Sequence, residues 1–351
     1  MKTMNKYFEK IKDAMLAYVK DPFFLKKWED PDYYMVRGRN ADNQLSMRTM
    51  RNRRKSYHYY GTSSMFIEDM FTGIMPFMLY TGVREKHPVT VTPSISRQKE
   101  LVVAGGISSR GYPTFLGDAL CDFIRDAAHI LFQDGIVIYE IIYKKNKAGE
   151  IESFSFEHIE PFGLFKFLGN YYQFISWLDA KASHTKVQII KIPKEKILRI
   201  DFPKQLGGRR KINKILKRSG DLGKELFPDF QMKAMEKQEN TGFNSNDYSE
   251  TKYLEIANLT KELGWNQRQL STNHITEYYA LLRTLRQKKV EALVRETIFT
   301  KLNEALNGSC LNFGIQVSMD NLFSVADIET RLKTLQKGNV TFMDLFNDTN
   351  L

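Results

Sequence analysis

Residues 115–161 constrain the fold more than any other stretch of this chain. Apolar residues recur at three- and four-residue spacing over residues 116–131, which predicts an amphipathic helix. Residues 136–143 are a β-branched and aromatic run that is too short for a helix and predicts a strand. Gly135 and Gly149 mark turns. The stretch therefore predicts helix, turn, strand, tight turn and strand.

Further strand patterns follow that unit. They cover residues 162–167, 171–177, 187–192 and 197–200, and a shorter one lies upstream at residues 88–93. The Gly169-Asn170 pair between two aromatic runs is typical of a β-hairpin. We therefore expect the middle of the chain to form a mostly antiparallel sheet with a helix packed against it, which is the α+β class.

The longest helical pattern covers residues 272–306 and ends at Asn307-Gly308, a common helix stop. At 1.5 Å per residue it would be about 50 Å long, so it needs a partner surface. A strand at 313–317 and a last helix at 325–336, capped by Ser324, follow it. By contrast, residues 240–249 are polar and predict a loop.

Composition narrows the class of protein. The chain of 351 residues is 42% hydrophobic and 13% aromatic, which is ample for a buried core, and its net charge of +11 suits an anionic partner such as nucleic acid. Its two cysteines, Cys121 and Cys310, favour a reducing compartment without a disulfide framework.

No run approaches the roughly 20 apolar residues that span a bilayer. Residues 1–20 predict an amphipathic surface helix rather than a signal peptide.

Basic residues are concentrated in two clusters. In the first, seven basic residues between positions 37 and 55 face one acidic residue, and residues 57–60 are a histidine and three tyrosines. Its candidate DNA- or partner-facing residues are Arg48, Arg51, Arg53, Arg54 and Lys55. Basic residues beside aromatics bind phosphates and stack bases, although a solvated arm has the same composition.

The second basic cluster follows the strand pattern. Residues 194–218 hold ten basic residues against Glu195 and Asp201, and Ile212, Ile215 and Leu216 give a helical apolar face. Its candidate contact residues are Arg209, Arg210, Lys211 and Lys214. A basic helix of this kind suits a nucleic-acid backbone or an acidic neighbouring subunit, and the pattern does not separate the two.

Catalytic signatures are missing from the sequence. It contains no phosphate-binding Walker loop and no Gly-x-Gly-x-x-Gly, and its six histidines never pair at metal-ligand spacing. Asp118, Asp122 and Asp126 share a helix face, which is more typical of solvation or ion pairing, and His129 is expected to be a core histidine. We therefore expect no catalytic residue, metal or cofactor and no enzymatic activity. An enzyme whose site is assembled from dispersed residues is the alternative.

The order of these elements resembles the core of portal (head-tail connector) proteins of tailed bacteriophages, over about residues 100–350. The motifs that carry the resemblance are Asp134-Gly135, Tyr139-Glu140, Gly149, Pro161, Ile192-Pro193 with residues 197–200, and Gly207-Gly208. A weaker match at the end of the chain comprises Asp320, Gly338, Thr341 and Asp344, where Asp344 replaces the usual Glu and Phe346 stands near a common Arg.

The resemblance implies a portal-like α+β fold, with an antiparallel β-rich wing and a packed helix followed by long stem or channel helices. The implied regions are an N-terminal helix and basic arm (1–62), a wing-like domain (63–206), a stem- or clip-like region (207–271), and a long helix with a channel- or crown-like end (272–351). The loop predicted at 240–249 would then belong to the clip or face the tunnel. Arg283 and Arg286 on the long helix become further candidates for DNA or partner contact.

The implied function is structural. About twelve copies would form a homo-oligomeric ring at one capsid vertex of the virion, assembled in the host cytoplasm. The ring would conduct double-stranded DNA during packaging and ejection, and would bind the major capsid protein, the terminase and the tail connectors, without a cofactor or a membrane. The chain is short for that family, and its positive charge is unexpected in a DNA channel. The alternative is a basic nucleic-acid-binding protein that acts as a monomer or dimer.

Overall fold

A computed structural model of the chain describes residues 62–74, 89–108, 115–159, 164–175, 188–224, 245–265, 276–319 and 323–338. The helices are α1 (Thr62–Thr72), α2 (Arg97–Ile107), α3 (Leu116–Asp134), α4 (Gly208–Lys224), α5 (Ser245–Thr260), α6 (Glu277–Leu306) and α7 (Val325–Gln336). The strands are β1 (Val89–Thr92), β2 (Ile136–Lys145), β3 (Ile151–His158), β4 (Leu164–Phe167), β5 (Asn170–Ile175), β6 (Gln188–Ile192), β7 (Ile197–Asp201) and β8 (Gln316–Met319). The predicted N-terminal helix and basic arm lie outside the described residues.

Helix α3 and strand β2 form the unit that the sequence predicts. The apolar side of α3 is buried along its whole length. Gly135 ends the helix in the left-handed conformation, at φ 68°, and its N–H donates to the Leu131 carbonyl. Because glycine adopts this conformation without steric cost, the chain reverses within one residue and enters β2 at Ile136.

The strands form two three-stranded antiparallel sheets and one two-stranded sheet. The first sheet has the order β3-β2-β7, with Tyr139 of β2 opposite both His158 and Leu198. The second has the order β4-β5-β6, and β1 pairs with β8 in the third. The α+β prediction is confirmed. The predicted single sheet is divided, since β7 returns to pair with β2 while β4, β5 and β6 pair with one another.

Two hydrophobic cores lie on opposite faces of the first sheet. Val137, Tyr139 and Ile141 of β2 face the main core with α3. The alternating residues Ile136 and Ile138 face a small core shared with the second sheet. That small core is completed by Ile159, Tyr171 and Ile192.

The main core joins distant parts of the sequence. It contains residues of α1, α2 and α3, of β2, β3 and β7, and of α4, α5, α6 and β8. The expected region boundaries at residues 207 and 272 therefore do not divide it. Among the described residues, the segments on both sides of each boundary fold around one shared core.

Two predicted boundaries differ from the structure. The long helix begins at Glu277, because the Thr276 hydroxyl caps it by accepting a hydrogen bond from the Tyr279 N–H. Part of the loop predicted at 240–249 is helical, since α5 begins at Ser245. Serine, asparagine and aspartate favour helix starts as well as loops, so this composition gave the wrong prediction for residues 245–249.

Helix α6 is held by hydrogen bonds from its polar side chains to the backbones of other segments. Arg295 donates to the carbonyls of Ile74 and Phe323, at 3.2 and 2.8 Å. Asn303 bonds both backbone groups of Val317, and Asn307 bonds both backbone groups of Ile315. The helix therefore connects the segment at Ile74 to the C-terminal segments at residues 315–317 and 323.

Candidate nucleic-acid or partner interface

Helix α4 carries the second basic cluster. It begins at Gly208, directly after Gly207, and both glycines have positive φ, at 62° and 89°. Ile212, Ile215 and Leu216 are buried in the main core, as their helical spacing predicts. The inward face of α4 is thereby fixed, and so is the face that it turns to solvent.

Three cations lie on that outward face, and we call Arg210, Lys214 and Lys217 the basic stripe. All three are exposed and make no hydrogen bond or ion pair with another described residue. Their spacing of four and three residues places them on one side of the helix, opposite its buried residues. They span about 10 Å of helix axis, over which one strand of B-DNA presents about three phosphates. The stripe therefore matches a row of phosphates or of carboxylates.

Three other cations of α4 are engaged within the protein. The Arg209 Nε donates to the Asp134 carbonyl at 3.2 Å, at the C-terminus of α3, where a positive charge is favoured. Lys211 pairs with Glu262, and Arg218 pairs with Glu255 at 2.6 Å. The hydrogen bond from Lys211 and its charge hold the pKa of the Glu262 carboxyl below its ordinary value. These side chains anchor α4 to α3 and to the α5 region.

Close backbone approach fixes the start of α4. A Cβ added at Gly135 would lie 2.7 Å from Arg209 Cγ and 2.7 Å from Ile212 Cγ2. The first turn of α4 thus packs directly on the turn between α3 and β2. As a result, the basic stripe has a fixed orientation relative to the first sheet.

The two candidates on the long helix have structural roles. Arg283 is only 4% exposed, and its guanidinium donates to the Trp265 carbonyl at 2.6 Å. In this structure Arg283 is buried and its charge is used inside the protein, so it is not exposed for the expected contact with DNA or a partner. Arg286 is half-buried and donates to the Lys261 carbonyl at 3.2 Å.

The remaining candidates are divided between the two clusters. Arg48, Arg51, Arg53, Arg54 and Lys55 lie outside the described residues. Of the predicted residues on α4, the structure brings Arg210 and Lys214 to one exposed face and turns Arg209 and Lys211 to internal partners. Lys217 joins the stripe although it was not singled out as a candidate. Its position seven residues after Arg210 was the signal that could have identified it.

The acidic and histidine residues singled out in the sequence do not form a metal site. Asp122 pairs with Arg125 at 3.7 Å, and His129 packs against the Phe71 ring at 4.8 Å between centroids. Within the described ranges, no group of three or more potential ligands could hold a metal ion. Helix α3 therefore uses these side chains in ion pairing and packing.

A buried carboxyl lies between the two three-stranded sheets. Glu140 of β2 is 3% exposed, and its Oε2 has no hydrogen-bond partner among the described residues. Burial raises the pKa of Glu140 to about 7, the Lys196 charge lowers it and the neighbouring Glu157 raises it. Gln173 of β5 is also buried, and within the described part of the chain its amide atoms have no hydrogen-bond partner. Each of the two three-stranded sheets therefore carries one buried polar side chain, Glu140 in β2 and Gln173 in β5.

No helix in the described part of the chain is long and apolar enough to cross a membrane. Comparison with known proteins gave no match, either to a protein-family model or to a curated protein sequence.

Proposed function

We propose that the chain is the subunit of a portal-like ring, through which double-stranded DNA enters and leaves a phage capsid. The observation that carries the proposal is the arrangement of the motif residues. Arg209, which follows Gly207-Gly208, lies 75 residues after Asp134 along the chain, yet its side chain bonds the Asp134 carbonyl and the two glycine turns pack together. Tyr139-Glu140 lies in the strand that leaves this junction.

The long helix supports the same proposal. Helix α6 has 30 residues and is about 45 Å long. It packs on α3, β7 and α7, so it connects the sheet-containing part of the chain to its C-terminal part. A subunit of a conduit needs such an element, because a channel wall must extend further than one compact layer. The hydrogen bonds of α6 to separate backbones would give that wall stiffness.

The basic stripe gives the proposed ring a charged contact surface. Since its three cations are exposed on a helix that is anchored on its other sides, they are available to DNA or to an acidic partner such as the terminase, the major capsid protein or a tail connector. Proteins that contact the phosphate backbone without reading bases use cations of this kind. In this proposal the chain has a structural role in the virion and no catalytic one.

Mass measurement of the native full-length protein tests the proposal. We expect native mass spectrometry to give a closed oligomer of about twelve subunits, and electron microscopy of the same sample to show rings with a central hole. A protein that stays monomeric or dimeric at every concentration, and that binds duplex DNA with a steep salt dependence, would contradict the portal function.

That contrary result would favour the second candidate function, a nucleic-acid-binding protein that acts as a monomer or dimer. The exposed basic stripe is the observation in its favour, because three exposed cations on one helix face, which have no ion-pair partner among the described residues, suffice for sequence-independent phosphate contact. The two functions differ in assembly state, so the mass measurement separates them.

A further inference from the structure

A pocket of about 220 Å³ lies where α6 and α7 meet the start of α4 and the residues just after α5. Half of its described lining is apolar and comprises Leu206, Leu263, Leu282, Val290, Leu293 and Leu332. The other half is polar and comprises Gln205, Lys211, Glu262, Arg286, Lys289 and Gln336. A segment that matches this lining must therefore offer both apolar and polar side chains.

Cations outnumber carboxylates around this pocket. Lys211 pairs with Glu262, and Lys289 pairs with Glu329 of α7 at 2.7 Å. The pKa values of both carboxyls are held below their ordinary value, mainly by these paired lysines. Further cations that lower the same pKa values are Lys261 and Arg286, beside Glu262, and Lys333, beside Glu329. Among the described residues, five cations therefore act on two carboxylates, and the two ion pairs leave an excess of positive charge.

The chain turns at the end of α7, next to the pocket. Gly338 has a positive φ of 72°, and its N–H donates to the Leu335 carbonyl at 3.1 Å. A glycine in this conformation directly after a helix turns the chain away from the helix axis. Since Leu332 and Gln336 of α7 line the pocket, the residues that follow Gly338 start close to it.

Residues 339–351 come next and lie outside the described residues. Their sequence contains Asp344 and Asp348 and no basic residue, whereas the whole chain has a net charge of +11. Asp344 follows Gln336 by eight residues, and an extended chain of about 3.5 Å per residue would span about 28 Å over that distance. The large apolar residues on either side of Asp344 are Phe342, Met343, Leu345 and Phe346. The segment thus combines apolar and acidic side chains within reach of the pocket.

We propose that residues 339–351 dock in this pocket of their own subunit, with their apolar side chains against its leucines and their aspartates against the excess cations. A purely apolar segment would leave those cations without a counter-charge, and a purely acidic one would leave the leucines in water. Within the described chain α7 packs mainly on α6, so the docked segment would fasten α7 to the rest of the subunit. The proposal does not depend on the portal function.

Zero-length crosslinking of the native full-length protein tests where the segment lies. A carbodiimide joins a carboxylate to a lysine amine that it contacts, so the Lys211–Glu262 and Lys289–Glu329 pairs are internal positive controls. In the monomer band of a denaturing gel, we expect peptide mapping to find an aspartate of residues 339–351 joined to Lys211 or Lys289. Control crosslinks without this one would refute the docking. The same crosslink found only in a covalent dimer would assign the contact to a second copy and would also refute it.

Phe342→Ser combined with Phe346→Ser tests the apolar part of the contact. We expect hydrogen exchange in α7 to become about 10- to 100-fold faster, because the docked segment no longer fastens the helix. Asn347→Ser combined with Asn350→Ser, in the same segment, is the matched control and should leave this exchange unchanged. Exchange in α3, within the main core, should stay the same in both variants, which excludes a general loss of folding. Unchanged α7 exchange in the phenylalanine variant would overturn the proposal.

Discussion

Gly135 combines two requirements at a single residue. Its φ of 68° is disfavoured for residues that carry a Cβ, and the space where a Cβ would lie is taken by Arg209 and Ile212 of α4. The first requirement is local. The second depends on a helix that begins more than 70 residues later.

Three glycine substitutions separate these requirements. Gly135→Ala should lower the free energy of unfolding by about 2–5 kcal/mol, from backbone strain and steric overlap together. Gly149→Ala has the strain without a neighbour within 4 Å and should cost about 1–2 kcal/mol. Gly105→Ala, in helix α2 with neither problem, should stabilise by about 0.5–1 kcal/mol. Urea unfolding measures all three, and equal losses at Gly135 and Gly149 would contradict the close approach of α4.

Glu140 predicts a pH dependence of stability. Its pKa in the folded protein is raised to about 7, mainly by burial, from an ordinary value of 4.5. The folded state therefore binds a proton more tightly than the unfolded state does, and the stability that this proton contributes is lost as the pH rises from 4.5 through 7. The advantage of Glu140→Gln over the wild type in free energy of unfolding should therefore grow by about 1–3 kcal/mol between pH 5 and pH 8.

Denaturant unfolding of both proteins from pH 5 to pH 8 measures this difference. Glu152→Gln is the control, because Glu152 lies on the neighbouring strand as an exposed partner of Lys144. That substitution should leave the pH profile of stability unchanged. A Glu140→Gln profile parallel to the wild type would refute a buried, protonated Glu140.

At the scale of secondary-structure elements, two asparagine side chains of α6 form hydrogen bonds with the backbone along one edge of β8 and the residue before it. Asn303 and Asn307 are one helical turn apart, and each amide bonds the N–H and the carbonyl of one residue. The bonded residues are Val317 and Ile315, which are two residues apart, and the side chains of both lie in the main core. On the side away from β1, the β8 segment is therefore paired with side-chain amides in place of another strand.

Asn303→Asp tests this pairing with almost no change in shape. The carboxylate still accepts the Val317 N–H but no longer donates to the Val317 carbonyl, which it now repels. We expect a loss of about 1–3 kcal/mol in the free energy of unfolding and faster hydrogen exchange at residues 315–319. Asn312→Asp is the control, since Asn312 is exposed and aspartate tolerates its positive φ. An equal, small effect of both substitutions would contradict the role of Asn303.

The sequence predicted most of the elements because their signals are local. Helical spacing identified α3 and α7, and the Gly169-Asn170 pair identified the β4–β5 hairpin. The alternating apolar pattern of the sequence placed the strand after α6 at 313–317, whereas β8 begins at Gln316. The positive φ values of Asn312 and Gly314 form a turn there, and Asn307 holds the Ile315 backbone. Contacts of this kind join separate segments, so they leave no periodic pattern in the sequence from which the start of β8 could be predicted.

For the whole molecule, the basic stripe predicts the salt dependence of DNA binding. Each phosphate contact contributes about 0.9 to the slope of log K against log salt. Changing Arg210, Lys214 and Lys217 together to glutamine should therefore reduce the slope by up to about 2.7. Fluorescence anisotropy with a labelled duplex, at salt concentrations of about 50–200 mM, measures the change.

Lys211→Gln is the control for this experiment, because the Lys211 ammonium is paired with Glu262 and contributes less to an external contact. It should change the slope by well under one unit. A triple variant with an unaltered slope would assign the basic stripe to an acidic protein partner instead of DNA.

The candidate surface was only partly predictable from the sequence. A count of charges locates the cluster on α4, and helical spacing gives its outward face. Which cations are engaged depends on where Glu255 and Glu262 lie after α5 packs beside α4. Burial of Arg283 depends likewise on the Trp265 carbonyl, which is close only in the folded chain.

Because these hydrogen bonds of α6 go to backbone atoms, they limit sequence change in α6 more than in the segments that it binds. Arg295, Asn303 and Asn307 bind main-chain atoms, which every amino acid carries except for the missing N–H of proline. The segments that they hold, such as those at Ile74 and Phe323, are free to exchange side chains without losing these bonds. Homologues should therefore keep the three polar residues of α6 while the partner segments drift, so that the architecture outlasts recognisable sequence similarity.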